Sequence, residues 1–135
     1  MEINIKNLQK KISIPETKIR RALSSALSKF KCPSGSLSIV FVGVRRMRTI
    51  NKKYLGHDYV TDVLSFELSK GLGEIIICPR MASANADFYK TSTEKEIILY
   101  VIHGLLHLQG FDDHNPKDTI QMRSMENMLL GKQNL

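Results

Sequence analysis

Apolar and polar positions alternate weakly over residues 2–7, with Ile3 and Ile5 on one side, and predict a short opening strand. Ile14-Pro15-Glu16-Thr17 reads as a helix start, with Pro in the first turn. Ile19, Leu23, Ala26, Leu27 and Phe30 then form an apolar stripe at helical spacing, and Cys32-Pro33-Ser34-Gly35 breaks it. The β-rich run from Leu37 to Val42 predicts a strand. A basic helix follows from Arg45 to Tyr54, with Met47, Ile50 and Tyr54 expected inward, and Gly56-His57-Asp58 marks a loop. Val63 to Phe66 and Glu74 to Cys78 predict two more strands, separated by Gly71 and Gly73, and Pro79 opens a helix to about Tyr89.

The clearest helix runs from about Thr93 to Leu108. Ser92 or Thr93 can cap it, and Glu94 and Glu96 suit the positive end of its dipole. Beyond that turn it is apolar on nearly every side, the mark of a buried central helix. Gly110 ends it, and Asn115-Pro116 starts a last helix with Ile120, Met122, Met125, Met128 and Leu129 available for packing. The pattern predicts an α+β fold: a single domain over residues 1–135, with a small mixed sheet and about five helices around the central one.

A chain of 135 residues fits one ordinary domain, and 42% apolar with 24% charged residues excludes wholesale disorder. The net charge of +7 is unevenly placed. Residues 1–60 carry thirteen basic and three acidic side chains, and residues 61–135 carry seven and ten. A basic half beside an acidic one points to a polyanionic partner. The N-terminal stretch lacks a signal-peptide core, and the apolar run Ile97 to Leu108, interrupted by His103, Gly104 and His107, is too short to span a bilayer. Two cysteines, Cys32 and Cys78, form no CxxC motif and no disulfide framework. The expectation is a reduced, cytoplasmic protein with no membrane partner.

The central helix carries His103 and His107. At i and i+4 they lie about 40° apart around the axis and about 6 Å apart along it, so both rings can face one point. That is the geometry of a two-histidine metal clamp. Two core histidines bonded to carbonyls are the plain alternative. The turn after Gly110 changes the balance, because it returns Asp112, Asp113 and His114 towards the same point. Two helical histidines and one ligand from the turn leave a coordination position open for water, as catalytic zinc sites do. A zinc peptidase of the HExxH type places its general base directly after the first histidine; Gly104 stands there instead, which disfavours peptidase chemistry.

These residues resemble the YbeY family, bacterial endoribonucleases that mature rRNA. The run His103-Gly104-Leu105-Leu106-His107-Leu108-Gln109-Gly110-Phe111-Asp112 is similar to its signature. So is the stretch from Asn51 through Tyr54, Gly56, Asp58, Thr61 and Asp62 to Val63-Leu64-Ser65-Phe66, and Gly73 to Cys78 matches the strand that follows. The resemblance covers essentially the whole chain. It implies a zinc-dependent, single-strand endoribonuclease with one Zn2+ per chain. Implied partners are rRNA precursors, notably the 3′ end of 16S rRNA, and the small ribosomal subunit, in maturation and quality control.

Two positions depart from the family pattern. A third histidine is usual at position 113, where this chain has Asp113 followed by His114. Asp113 keeps the register and is the favoured third ligand; His114 takes the place if the turn shifts by one residue. Position 55 usually holds an arginine for RNA phosphates, and Leu55 cannot do that; Arg48 or Lys52 on the same helix are the expected substitutes. Independently of the family, Arg45, Arg46, Arg48, Lys52 and Lys53 suit a phosphate backbone, although a solvated helix face would look the same. Thr61, Asp62 and Ser65 either line the site or merely form a turn and a strand, whereas Met122, Met125 and Met128 read as packing. Competing functions are a ribosome-associated RNA-binding protein with a structural metal, and a metallohydrolase of another substrate.

Overall fold

The computed structural model describes residues 2–30, 35–111 and 114–130. Strand β1 (Glu2–Asn7) leads into helix α1 (Glu16–Leu27), then β2 (Ser36–Phe41), α2 (Val44–Leu55), β3 (Val63–Ser69) and β4 (Leu72–Ile77). Helices α3 (Pro79–Tyr89), α4 (Thr93–Leu108) and α5 (Pro116–Leu130) complete the chain. The sheet order is β1-β2-β4-β3, with β1, β2 and β4 parallel and β3 antiparallel to β4. This is the expected α+β domain with a small mixed sheet.

Side chains alternate across the sheet with period two, and both faces are covered. Leu37, Ile39, Phe41, Ile75 and Ile77 point into the main core with Ile19 and Leu23 of α1, much of α4, and Met122 and Leu129 of α5. Leu64, Ile76 and Val42 point the other way, onto Met47 of α2. Apolar cover on both faces explains the unbroken run Ile75-Ile76-Ile77 in β4.

Helix α4 buries Ile97, Ile98, Val101, Ile102, Leu105 and Leu106. Its cap is Ser92, whose hydroxyl accepts from the Lys95 amide at 3.2 Å. It ends in a Schellman turn: the Phe111 amide bonds the Leu106 carbonyl, the Gly110 amide bonds that of His107, and Gly110 has φ of 96°. Two glycines let this helix lie close on the sheet. A Cβ at Gly104 would meet Ile75 Cγ2 at 2.8 Å and Ser65 Oγ at 3.0 Å, and one at Gly73 would meet Leu108 Cδ1 at 2.9 Å. Gly73 therefore serves β4 and its helix contact, not the turn assigned to it from sequence; Gly71, with φ of 81°, makes that turn.

Three apolar side chains expected in the core are exposed. Tyr54 is 60% exposed, because the last turn of α2 reaches the edge strand and leaves its ring resting on Phe66. Ile120 and Met128 are also exposed, since the buried face of α5 is set by Met122, Met125 and Leu129 at i, i+3 and i+7, and the other two fall off that phase. The helix break assigned to Cys32, Pro33 and Ser34 lies outside the described residues.

Candidate active site

His103 and His107 project from the partly exposed side of α4. Their Nε2 atoms converge to 3.0 Å, with ring centroids 4.6 Å apart and planes at 78°. The i,i+4 spacing thus does what the sequence predicted, aiming two imidazole nitrogens at one point. The other nitrogen of His103 is engaged as well. Its Nδ1 lies 2.8 Å from a Glu126 carboxylate oxygen, and the two side chains are 23% and 12% exposed. A carboxylate only accepts, so Nδ1 is the donor in this contact, and Nε2 is the His103 nitrogen turned towards His107.

Helix α5 delivers Glu126, and Asn115 fixes where α5 begins. The Asn115 side chain accepts from the Asp118 amide at 2.9 Å, ahead of Pro116 at the first helical position. Glu126 was missed by sequence reasoning. Its only signal was a charged residue inside the apolar stripe of Met122, Met125 and Leu129.

The pair opens on a cleft of about 580 Å³ lined by Leu55, Asp62, Ser65, His103, His107 and His114. Asp62 and Ser65 line the site and Thr61 does not. Ser65 also donates to the Gly104 carbonyl at 3.2 Å, tying the edge strand to the histidine helix. Position 104 faces the sheet with no room for a side chain, so the missing glutamate has a packing cause. On the other side of His103 lies a second cleft, which shares Asp62 and adds Asn85, Glu96, Tyr100, Arg123 and Glu126. Burial, and then the charge of Asp62, raises the Glu96 carboxyl above its usual range. Tyr100, 5% exposed and accepting from the Asn85 amide, is pushed up to about 12, chiefly by burial.

His114 is thus brought to the histidine cleft, exposed at its rim. Asp113, the favoured third ligand, lies outside the described residues with Asp112. Among the described residues no group of three His, Cys, Asp or Glu side chains is arranged to hold a metal ion. The donor set nonetheless suits one: two converging imidazole nitrogens, one of the rings oriented by a carboxylate, with His114 at the rim of the same cleft.

The basic helix divides. Arg45, Arg46 and Arg48 line a separate groove. Lys52 lies 3.8 Å from Asp58, and Lys53 sits over the Tyr54 ring. Arg48 also pairs with Asp58, at 2.8 Å, and this bond holds the Asp58 carboxyl below its usual range. Neither Arg48 nor Lys52 lines the histidine cleft, whose wall on the α2 side is Leu55.

A histidine-pair helix laid on a small mixed sheet defines the class of domain, and comparison with known proteins narrows it. The chain matches the family described as Endoribonuclease YbeY over residues 4–134. Endoribonuclease YbeY of Chloroherpeton thalassium is 39% identical over 124 residues, covering 90% of this chain and 88% of that protein. Its counterpart from Chlorobium phaeovibrioides is 35% identical over 133 residues, covering 96% and 89%. The solution structure of a Thermotoga maritima protein superposes with a TM-score of 0.67 at 27% identity, covering 96% of this chain and 90% of that one. The chain belongs to the endoribonuclease YbeY family. No helix among the described residues is long and apolar enough to cross a membrane.

Proposed function

We propose that the chain is a zinc-dependent endoribonuclease that cleaves single-stranded segments of rRNA precursors in the cytoplasm, notably at the 3′ end of 16S rRNA on the small ribosomal subunit. Membership of the endoribonuclease YbeY family supports the activity. The observation that carries the site is the His103–His107 pair, with Nε2 atoms 3.0 Å apart on an open cleft. His103, His107 and either Asp113 or His114 would hold one Zn2+. Bound there, the ion supplies a Lewis acid that acidifies water and polarises a phosphoryl oxygen.

The chain's own residues do the rest. Glu126 keeps the His103 proton on Nδ1 and its Nε2 lone pair towards the ligand. Ser65 holds α4 against the edge strand, which keeps the cleft open between β3 and the histidines. Exposed cations on α2 bind phosphates and orient the strand.

Metal analysis of the purified protein with an RNA cleavage assay tests the reading. The expected result is about one zinc per chain, cleavage abolished by a chelator and restored by zinc. RNA binding without cleavage in the zinc-loaded protein would instead favour a ribosome-associated binding protein with a structural metal. Protein purified under metal-replete conditions without a transition metal would overturn the zinc assignment.

A further inference from the structure

The carboxyl ends of the parallel strands carry a second feature, in which cations of α2 meet cations from two other segments. β1 and β2 are neighbours, yet the chain leaving β1 enters α1 on one face of the sheet and the chain leaving β2 enters α2 on the other. The two outgoing loops part and leave a crevice at the strand ends. In open sheets with parallel strands such a divergence is where ligands bind. Here the crevice is a groove of about 1030 Å³. Lys10 and Lys11 enter it from the β1–α1 loop, Arg45, Arg46 and Arg48 from the start of α2, and Arg80 from the start of α3. All six are exposed, and no Asp or Glu lines the groove. Lys10, Lys11, Arg45, Arg46 and Arg80 form no ion pair among the described residues. The two clefts around His103, by contrast, contain Asp62, Glu67, Glu96 and Glu126.

Uncompensated like charges that converge from three separate segments repel one another unless an anion joins them. We infer that this groove is a binding site for the phosphate backbone of a single-stranded polynucleotide, distinct from the histidine cleft and independent of metal. An extended polyanion fits better than a mononucleotide, because the cations are spread along the groove and no acidic side chain is present to take a ribose hydroxyl. Leu8, Val44 and Val60 add apolar surface for sugars and bases. Helix α2 links the two sites: Arg48 lines the groove, and Leu55, about 10 Å further along the axis at 1.5 Å per residue, lines the histidine cleft. A strand held at the groove is thereby led towards the site of cleavage. The identity of the ligand as RNA rests on the endoribonuclease reading; the site itself does not.

The test measures binding of a labelled single-stranded RNA oligonucleotide in the presence of a chelator, so that no cleavage intervenes. The triple variant Lys10→Ala, Lys11→Ala, Arg80→Ala should bind about tenfold more weakly or worse, with the slope of log K against log[salt] flatter by about two. A charge-retaining variant, Lys10→Arg, Lys11→Arg, Arg80→Lys, should restore binding. A control that removes equal charge elsewhere, Lys29→Ala, Lys95→Ala, Lys117→Ala, should leave affinity within about twofold and the slope unchanged. Unchanged binding in the first triple variant, or equal weakening in the control, overturns the proposal. Polyglutamate or phosphatidylglycerol vesicles binding as tightly as RNA would also overturn it, giving the groove to an acidic protein or a membrane. Cleavage by the zinc-loaded enzyme is scored separately. Normal cleavage with an inert groove sinks the groove alone; groove-dependent binding without cleavage sinks the enzymatic reading alone.

Discussion

His103 Nδ1 lies 2.8 Å from the Glu126 carboxylate, although 23 residues separate the two in the chain. A carboxylate in that position fixes the imidazole tautomer and raises the basicity of the opposite nitrogen. Glu126→Ala is therefore expected to weaken zinc affinity about 10–100-fold. Competition against a chromogenic chelator measures this without reference to turnover. A thermal melt of the apoprotein run alongside separates loss of the metal from loss of the fold.

At the turn after α4, Asp113→Ala and His114→Ala should differ sharply. If Asp113 is the third ligand, its loss costs far more zinc affinity than loss of His114, which stands at the rim of the cleft. Metal titration of the two variants decides between them, and the reverse order would assign the position to His114.

Gly104→Ala should destabilise the protein by about 1–3 kcal/mol, the usual range for overpacking. The new Cβ would press on Ile75, which is fully buried, and on Ser65 Oγ, which bonds the Gly104 carbonyl. Urea unfolding measures the loss. Gly104→Glu, which would build an HExxH sequence, is expected to prevent folding and to create no peptidase.

Leu55 is 48% exposed on the wall of the histidine cleft, facing a site whose other lining charges include Asp62 and Glu67. Leu55→Arg should lower KM for RNA several-fold while leaving zinc affinity unchanged, because it adds a phosphate-binding cation beside the histidines. Steady-state cleavage kinetics and metal titration check the two halves of this expectation.

Tyr100 gives a signature at alkaline pH. Its hydroxyl is pushed up to about 12, first by burial and then by Asp62 and Glu96, against the opposing bond from Asn85. The unfolded chain releases the same proton at about 10, so the native state holds it more tightly. Stability is fully present below about pH 10 and falls between about 10 and about 12. Unfolding free energies measured across that range should decline less steeply in Tyr100→Phe.

The order of elements was legible in the chain because each rests on a local period. Ile19, Leu23 and Ala26 face one side of a helix by their spacing alone, Pro79 suits the first turn of a helix and not its interior, and Gly110 permits the left-handed turn that ends α4. The histidine pair was legible for the same reason, since an i,i+4 relation is settled inside one helix. Exposure of Tyr54 and Met128 was not legible, because a helix face has a phase but no knowledge of where its neighbour ends. Nor was the partner of His103. Glu126 reaches it only because α5 returns across α4, and no local period links residues 23 apart. The cations divided for a similar reason. Sequence placed Arg45, Arg46, Arg48, Lys52 and Lys53 on one helix, whereas the crossing of α1 and α2 to opposite faces of the sheet joined the first three to Lys10, Lys11 and Arg80. Periodicity specifies which side of an element is apolar; only packing of the elements decides which polar side chains from distant segments share a site.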